Sequence, residues 1–150
     1  MKRIIIILLT VVTVTVAYGQ TNENIEKYLI NVLGVKPEKI NSYMERMYKD
    51  TIDGVYIPKD LSDCFVQLDK IFSDKDKREF IENEGNGLYH FGIGMWMRNN
   101  WGLWGGSRLQ KYFIDKRGFM QPDDMSSYIL SYYYYWLIGE HKKWQEWMAK

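Results

Sequence analysis

Residues 89–109 read YHFGIGMWMRNNWGLWGGSRL, and the fold turns on whether they form helix or strand. Tyr89, Phe91, Ile93, Met95 and Met97 alternate with His90, Gly92, Gly94, Trp96 and Arg98. A period of two belongs to strands. A strand needs partners, however, and no other segment alternates in this way. Each glycine costs a helix about 1 kcal/mol relative to alanine, but its missing Cβ lets backbones approach closely. We read 89–98 as a buried helix, with strand as the open alternative. The same stretch gathers three of the six tryptophans (Trp96, Trp101, Trp104) with five glycines. Large rings fill space and glycines admit a backbone or a ligand, so this is the expected centre of the domain.

The flanking segments carry helical stripes with apolar residues at i, i+3, i+4 and i+7. The first is Ile25, Tyr28, Leu29, Val32, Leu33, with Gly34 placed as a C-terminal cap. The second opens at Pro37 and continues through Ile40, Tyr43, Met44, Met47, Tyr48. The third is Leu61, Cys64, Phe65, Leu68, Ile71, Phe72, with Asp60 as its N-cap. The fourth is Met125, Tyr128, Ile129, Tyr132, Tyr133, Trp136, Leu137, opened by Pro122, Asp123 and Asp124, whose charges suit a helix N-terminus. Shorter helices are expected at Asp74–Asn83, capped by Ser73 with Asp76 at the third position, and at Arg108–Lys116, capped by Ser107. A last one would carry Trp144, Trp147 and Met148. Asp53-Gly54 reads as a turn and Val55–Pro58 as an extended linker. The expected fold is all-α, a single compact multi-helix domain.

At the N-terminus, Met1-Lys2-Arg3 precedes an apolar run, Ile4–Val16, and then Ala17-Tyr18-Gly19. A basic start, an apolar stretch and a small-x-small site make a secretory signal peptide cut before Gln20. The run is shorter than the roughly 20 apolar residues a membrane span needs. The expected organisation is a signal peptide over 1–19, a helical extension over 20–54 and a helical domain over 55–150. The protein would then be exported, to the periplasm or beyond, with no membrane span left after cleavage. Without Lys2 and Arg3 the 20 basic and 19 acidic residues become 18 against 19. That balance lacks the basic excess of a nucleic-acid binder. Cys64 is the one cysteine, so no internal disulfide can form and the core must hold the fold unaided.

Few residues suggest chemistry. His90 is a weak candidate for acid–base catalysis, because its free pKa lies near neutrality; packed histidines are commoner, and no Ser/His/Asp or Cys/His pattern surrounds it. His141 and His90 are too isolated for a metal set, so neither metal nor cofactor is expected. Cys64 lies on an apolar stripe and reads as a small hydrophobe. Arg98, Asn99, Asn100, Trp101, Trp104 and Arg108 form the one concentration of polar side chains set among rings. They suit a pocket with aromatic walls and Asn/Arg anchors for a sugar or an anion. They suit equally a structural network that satisfies the backbone of the Trp101–Gly106 turn. Arg108 stands in the first turn of a helix, where its charge opposes the dipole, so its head group should meet a carboxylate of this chain or an anionic ligand. The run Tyr132–Trp136 covers more than half of its helix, and tyrosines favour interfaces.

Ile57-Pro58-Lys59-Asp60-Leu61, Cys64-Phe65, Leu68-Asp69, His90-Phe91-Gly92, Gly94-Met95-Trp96, Arg98–Trp104, Ser107-Arg108-Leu109 and Pro122–Ser126 together resemble an uncharacterised bacterial family of unknown function. The resemblance spans roughly Ile57 to Ile138. It implies a self-contained domain there and no particular activity. On its residues, the expectation is a non-enzymatic binding or protein-interaction module of the cell envelope, with a protein, small-molecule or glycan partner. The alternative is a small envelope hydrolase acting on glycan or peptide through His90 or an acidic residue; a structural subunit of an envelope assembly is a third.

Overall fold

The computed structural model describes residues 22–85, 89–118 and 120–149. The expected signal peptide over 1–19 lies outside them, as does the side chain of His90. The described residues fall into two compact units, one ending at Ile40 and one beginning at Asn41.

In the first unit, α1 spans 22–31 and buries Ile25, Tyr28 and Leu29. Gly34, at φ +65°, ends it as a left-handed cap. A single 3-10 turn, Pro37–Lys39, follows. Its proline leads into helix as expected, but the α-helix proper, α2, begins only at Ile40 and ends at Arg46. Tyr48 therefore lies past the helix and is exposed rather than on its buried stripe.

From Asn41 on, α2 belongs to the second unit, which next departs from the expected linker. Thr51–Ile52 (β1) and Val55–Tyr56 (β2) pair antiparallel, Ile52 opposite Val55. Asp53 and Gly54 both take positive φ, 51° and 79°. That is the two-residue hairpin turn whose twist matches its strands. Asp-Gly was the signal, but each strand is too short to show alternation.

α3 (Leu61–Ile71) starts where Asp60 accepts the Asp63 N–H at 2.9 Å. It buries Leu61, Cys64, Phe65 and Leu68, with Phe72 buried just beyond its end; Ile71, expected on that face, is exposed. α4 (Asp74–Glu82) is closed by a reciprocal capping box between Ser73 and Asp76. Next, His90–Gly94 winds as a π-helical turn and runs directly into α5 (Met95–Asn100). The segment is therefore helical. Gly94, Met97, Arg98 and Trp101 form its buried row, spaced i, i+3, i+4, i+7, and the period of two was incidental. α6 (Arg108–Arg117) begins with the Ser107 hydroxyl accepting the Gln110 N–H at 3.1 Å.

α7 (Pro122–Leu137) is the organising helix, touching α3, α4, the π turn, α5, α6 and α8 (His141–Ala149). Its buried face is Pro122, Met125, Ser126, Ile129, Leu130 and Tyr133. Met125, Ile129 and Tyr133 of the expected stripe are buried, but the face is rotated by part of a turn toward Ser126 and Leu130 and away from Tyr128. Ser126 enters the core because its hydroxyl is satisfied, while Tyr128 turns out against α8. Tyr133 packs among Phe65, Phe72, Phe80 and Trp136 with ring centroids 5.5–6.1 Å apart. The protein is therefore mostly α-helical, with one small hairpin among the described residues. No helix among the described residues is long and apolar enough to cross a membrane.

Candidate functional site

The glycines of the Trp101–Gly106 turn serve packing, whereas Gly92 is exposed with open space around it. A Cβ on Gly106 would stand 2.7 Å from the Tyr43 carbonyl oxygen of α2, and its φ of +79° excludes most side chains as well. Arg46 Nε donates to the Gly106 carbonyl at 3.4 Å and Arg46 also pairs with Asp53 at 3.8 Å, tying the turn to α2 and the hairpin. Gly102, at φ +66°, lies against Ser107. The Trp101–Gly106 turn is thus shaped by backbone approach.

The polar residues of this stretch separate. Arg98 is only 7% exposed. Its guanidinium donates to Ser126 Oγ at 2.7 Å and pairs with Asp123 at 3.4 Å, while Ser126 donates to the Asp123 carbonyl at 2.9 Å. This network fastens α5 to the first turn of α7, where a carboxylate also suits the helix dipole. Trp101 is 1% exposed and meets Trp96 edge to face at 5.7 Å. Asn100 Nδ2 donates back to the Trp96 carbonyl at 2.9 Å. Asn99 and Trp104 are exposed.

Arg108 turns elsewhere. Its Nε donates to the Ile57 carbonyl at 2.7 Å and its guanidinium lies 4.9 Å from the Tyr56 ring centroid. The Tyr56 hydroxyl donates to Asp63 at 2.8 Å, and the Lys59 N–H and the Gln67 amide donate to the same carboxylate at 3.0 and 3.2 Å. Burial raises the Asp63 pKa, but those donors, with the charge of Arg108, more than offset it and hold the carboxyl below its ordinary value. The accepting carboxylate in turn raises the Tyr56 hydroxyl. Arg108 therefore meets partners within this chain, joining α6 to β2 and α3. Sequence reasoning missed Tyr56, Asp63 and Gln67; Asp63 and Gln67, four apart on one helix, were the available signal.

Of the six residues expected to line one pocket, Arg98 and Trp101 are committed to the interior and Arg108 to the hairpin. The surface of this segment is instead apolar. Phe91 is 71% exposed, Met95 50%, and Trp96 lies at the border of exposure. Phe91, Met95 and Asn99 are spaced by four, with Gly92 and Trp96 on the adjacent row, so they share one helical face. Met95 and Trp96 thus lie on the same exposed side although they straddle the sequence alternation. π-helical turns of this kind recur at functional sites. Cys64 is fully buried, and burial pushes its thiol well above the ordinary range, so it stays protonated at neutral pH.

The family model described as a domain of unknown function (DUF6794) matches residues 57–137. No curated protein and no solved structure is significantly similar to the chain.

Proposed function

We propose that this chain, which belongs to the DUF6794 family, is a non-enzymatic protein-interaction module that presents the face of Phe91, Met95 and Trp96 to a partner outside the cytoplasm. The observation that carries the reading is Phe91, a phenyl ring 71% exposed on a helix whose neighbouring rows are also apolar. A helix offering side chains at i and i+4 matches a partner with an apolar groove. Methionine adapts to such a groove, and tryptophan anchors it with area and an indole N–H. Trp96 is held in place from behind by Trp101, which reduces the entropy lost on binding. Asn99, at the end of the row, supplies a polar rim. Export is supported by the basic–apolar–small pattern of Met1–Gly19.

The test is a photoreactive residue at position 91, 95 or 96, with position 75 on α4 as control, in the producing host. Positions 91, 95 and 96 should give the same discrete adduct and position 75 none. Phe91→Asp should abolish the adduct formed from position 95 while the helical circular dichroism is retained. Equal labelling at the control, or an adduct from position 95 that survives Phe91→Asp, would defeat the reading.

A further inference from the structure

Two methionines stand two residues apart on α5 and face opposite ways. Met97 is fully buried, whereas Met95 is 50% exposed. Met95 lies at the middle of the apolar face, one turn beyond Phe91 and next to Trp96. Among the other methionine side chains described, Met47 and Met125 are sealed in the core, and Met44 and Met120 are partly buried. The chain's thiol is no rival to them. Cys64 is fully buried and held protonated by that burial, so it is a poor nucleophile toward an oxidant. A thioether needs no deprotonation to react, and solvent access decides which methionine is oxidised first.

The chemistry needs one co-reactant, a peroxide. The Met95 sulfur lone pair attacks one oxygen of hydrogen peroxide. The O–O bond breaks, an S–O bond forms, and the second oxygen leaves as water after proton transfer. Sulfur is oxidised by two electrons and the peroxide is reduced by two. Two thiols of a sulfoxide reductase return the thioether, giving a disulfide and water. The sulfoxide oxygen is a strong acceptor where an apolar atom stood. In the free chain water satisfies it, and the core packing of α5 through Met97 and Trp101 is untouched. Inside a partner's apolar groove it would be buried without an assured donor, which disfavours the contact.

We propose that Met95 is an oxidative modification site that switches the face of Phe91, Met95 and Trp96: the thioether permits the apolar contact, and the sulfoxide formed by a peroxide releases it. The switch rests on the reading of that face as the partner surface.

Met95 and Met97 fall in one tryptic peptide, residues 79–98, so mass spectrometry compares them directly. In dilute hydrogen peroxide Met95 should become sulfoxide at least about tenfold faster than Met97, with the helical circular dichroism retained. The chain carrying a photoreactive residue at position 91 is then oxidised, freed of peroxide and added to an extract of the producing host. It should give about tenfold less adduct than the untreated chain, the scale of burying one unpaired polar group. Sulfoxide reductases acting on both epimers should restore the adduct. Met95→Leu, carried through the same treatment, should lose none of the adduct it gives untreated. Four results overturn the switch alone: Met97 oxidised as fast as Met95, an oxidised chain that unfolds, an adduct that persists with Met95 fully oxidised, or an equal loss in Met95→Leu. No adduct from the untreated chain overturns the interaction reading, and the switch falls with it.

Discussion

Arg98 and Trp104 sit six residues apart in the same aromatic stretch and have opposite fates. Arg98 is sequestered with Ser126 and Asp123, so Arg98→Ala should destabilise by about 2–3 kcal/mol, the scale of hydrogen bonds to a charged group. Arg98→Lys should recover only part, because a single ammonium cannot reproduce the planar fork. Urea denaturation checks both. Trp101→Ala should cost about 3–5 kcal/mol as a large buried ring, against about 0.5 kcal/mol or less for the exposed Trp104→Ala. Asp63 gives the pH dependence. Its folded pKa is depressed, so its contribution is present above the unfolded carboxylate value and is lost as pH falls through the folded one. The unaltered chain should lose stability on acidification through that window, and Asp63→Asn should be less stable at neutral pH but flatter across it. A pH profile as steep in Asp63→Asn as in the parent would assign the acid sensitivity elsewhere.

At the scale of elements, the helix starts were legible because they are written in single residues. Asp60, Ser73 and Ser107 each cap the helix expected of them. Ser73→Ala should cost about 1 kcal/mol in thermal unfolding, since it opens a capping box. The turn between α5 and α6 was less legible. Its glycines could equally have admitted a ligand, and only the placement of Tyr43 against Gly106 assigns them to packing. Gly106→Ala should therefore be among the most damaging single changes in the chain, adding a backbone collision to about 1–3 kcal/mol of conformational strain. Gly118→Ala, also at positive φ but with open space around it, should cost clearly less. If the two are equal in denaturant, close approach is not what the Gly106 position demands.

For the whole molecule, composition and periodicity carried far: helical stripes and turn residues sufficed for a mostly α-helical protein, and the single cysteine for a core without disulfides. Cys64→Ala should melt within a few degrees of the parent and Cys64→Ser lower, because the serine hydroxyl would be buried in an apolar site. The expected pocket was not legible in the same way. Sequence proximity gathered Arg98, Asn99, Asn100, Trp101, Trp104 and Arg108, but a helix separates neighbours by about 100° each. Arg98 and Asn99 thereby face opposite environments, and Arg108 opens a different helix with a different partner. Local physics acts within a few residues, so caps, turns and the helical period could be read from the chain itself. The direction each helix faces is decided by what packs against it. Only the tertiary structure could turn Ser126 rather than Tyr128 inward, commit Arg98 to α7, and leave Phe91 and Met95 outside, because those outcomes depend on partners far along the chain, 25 and 28 residues away for Arg98 and 19 for Tyr128.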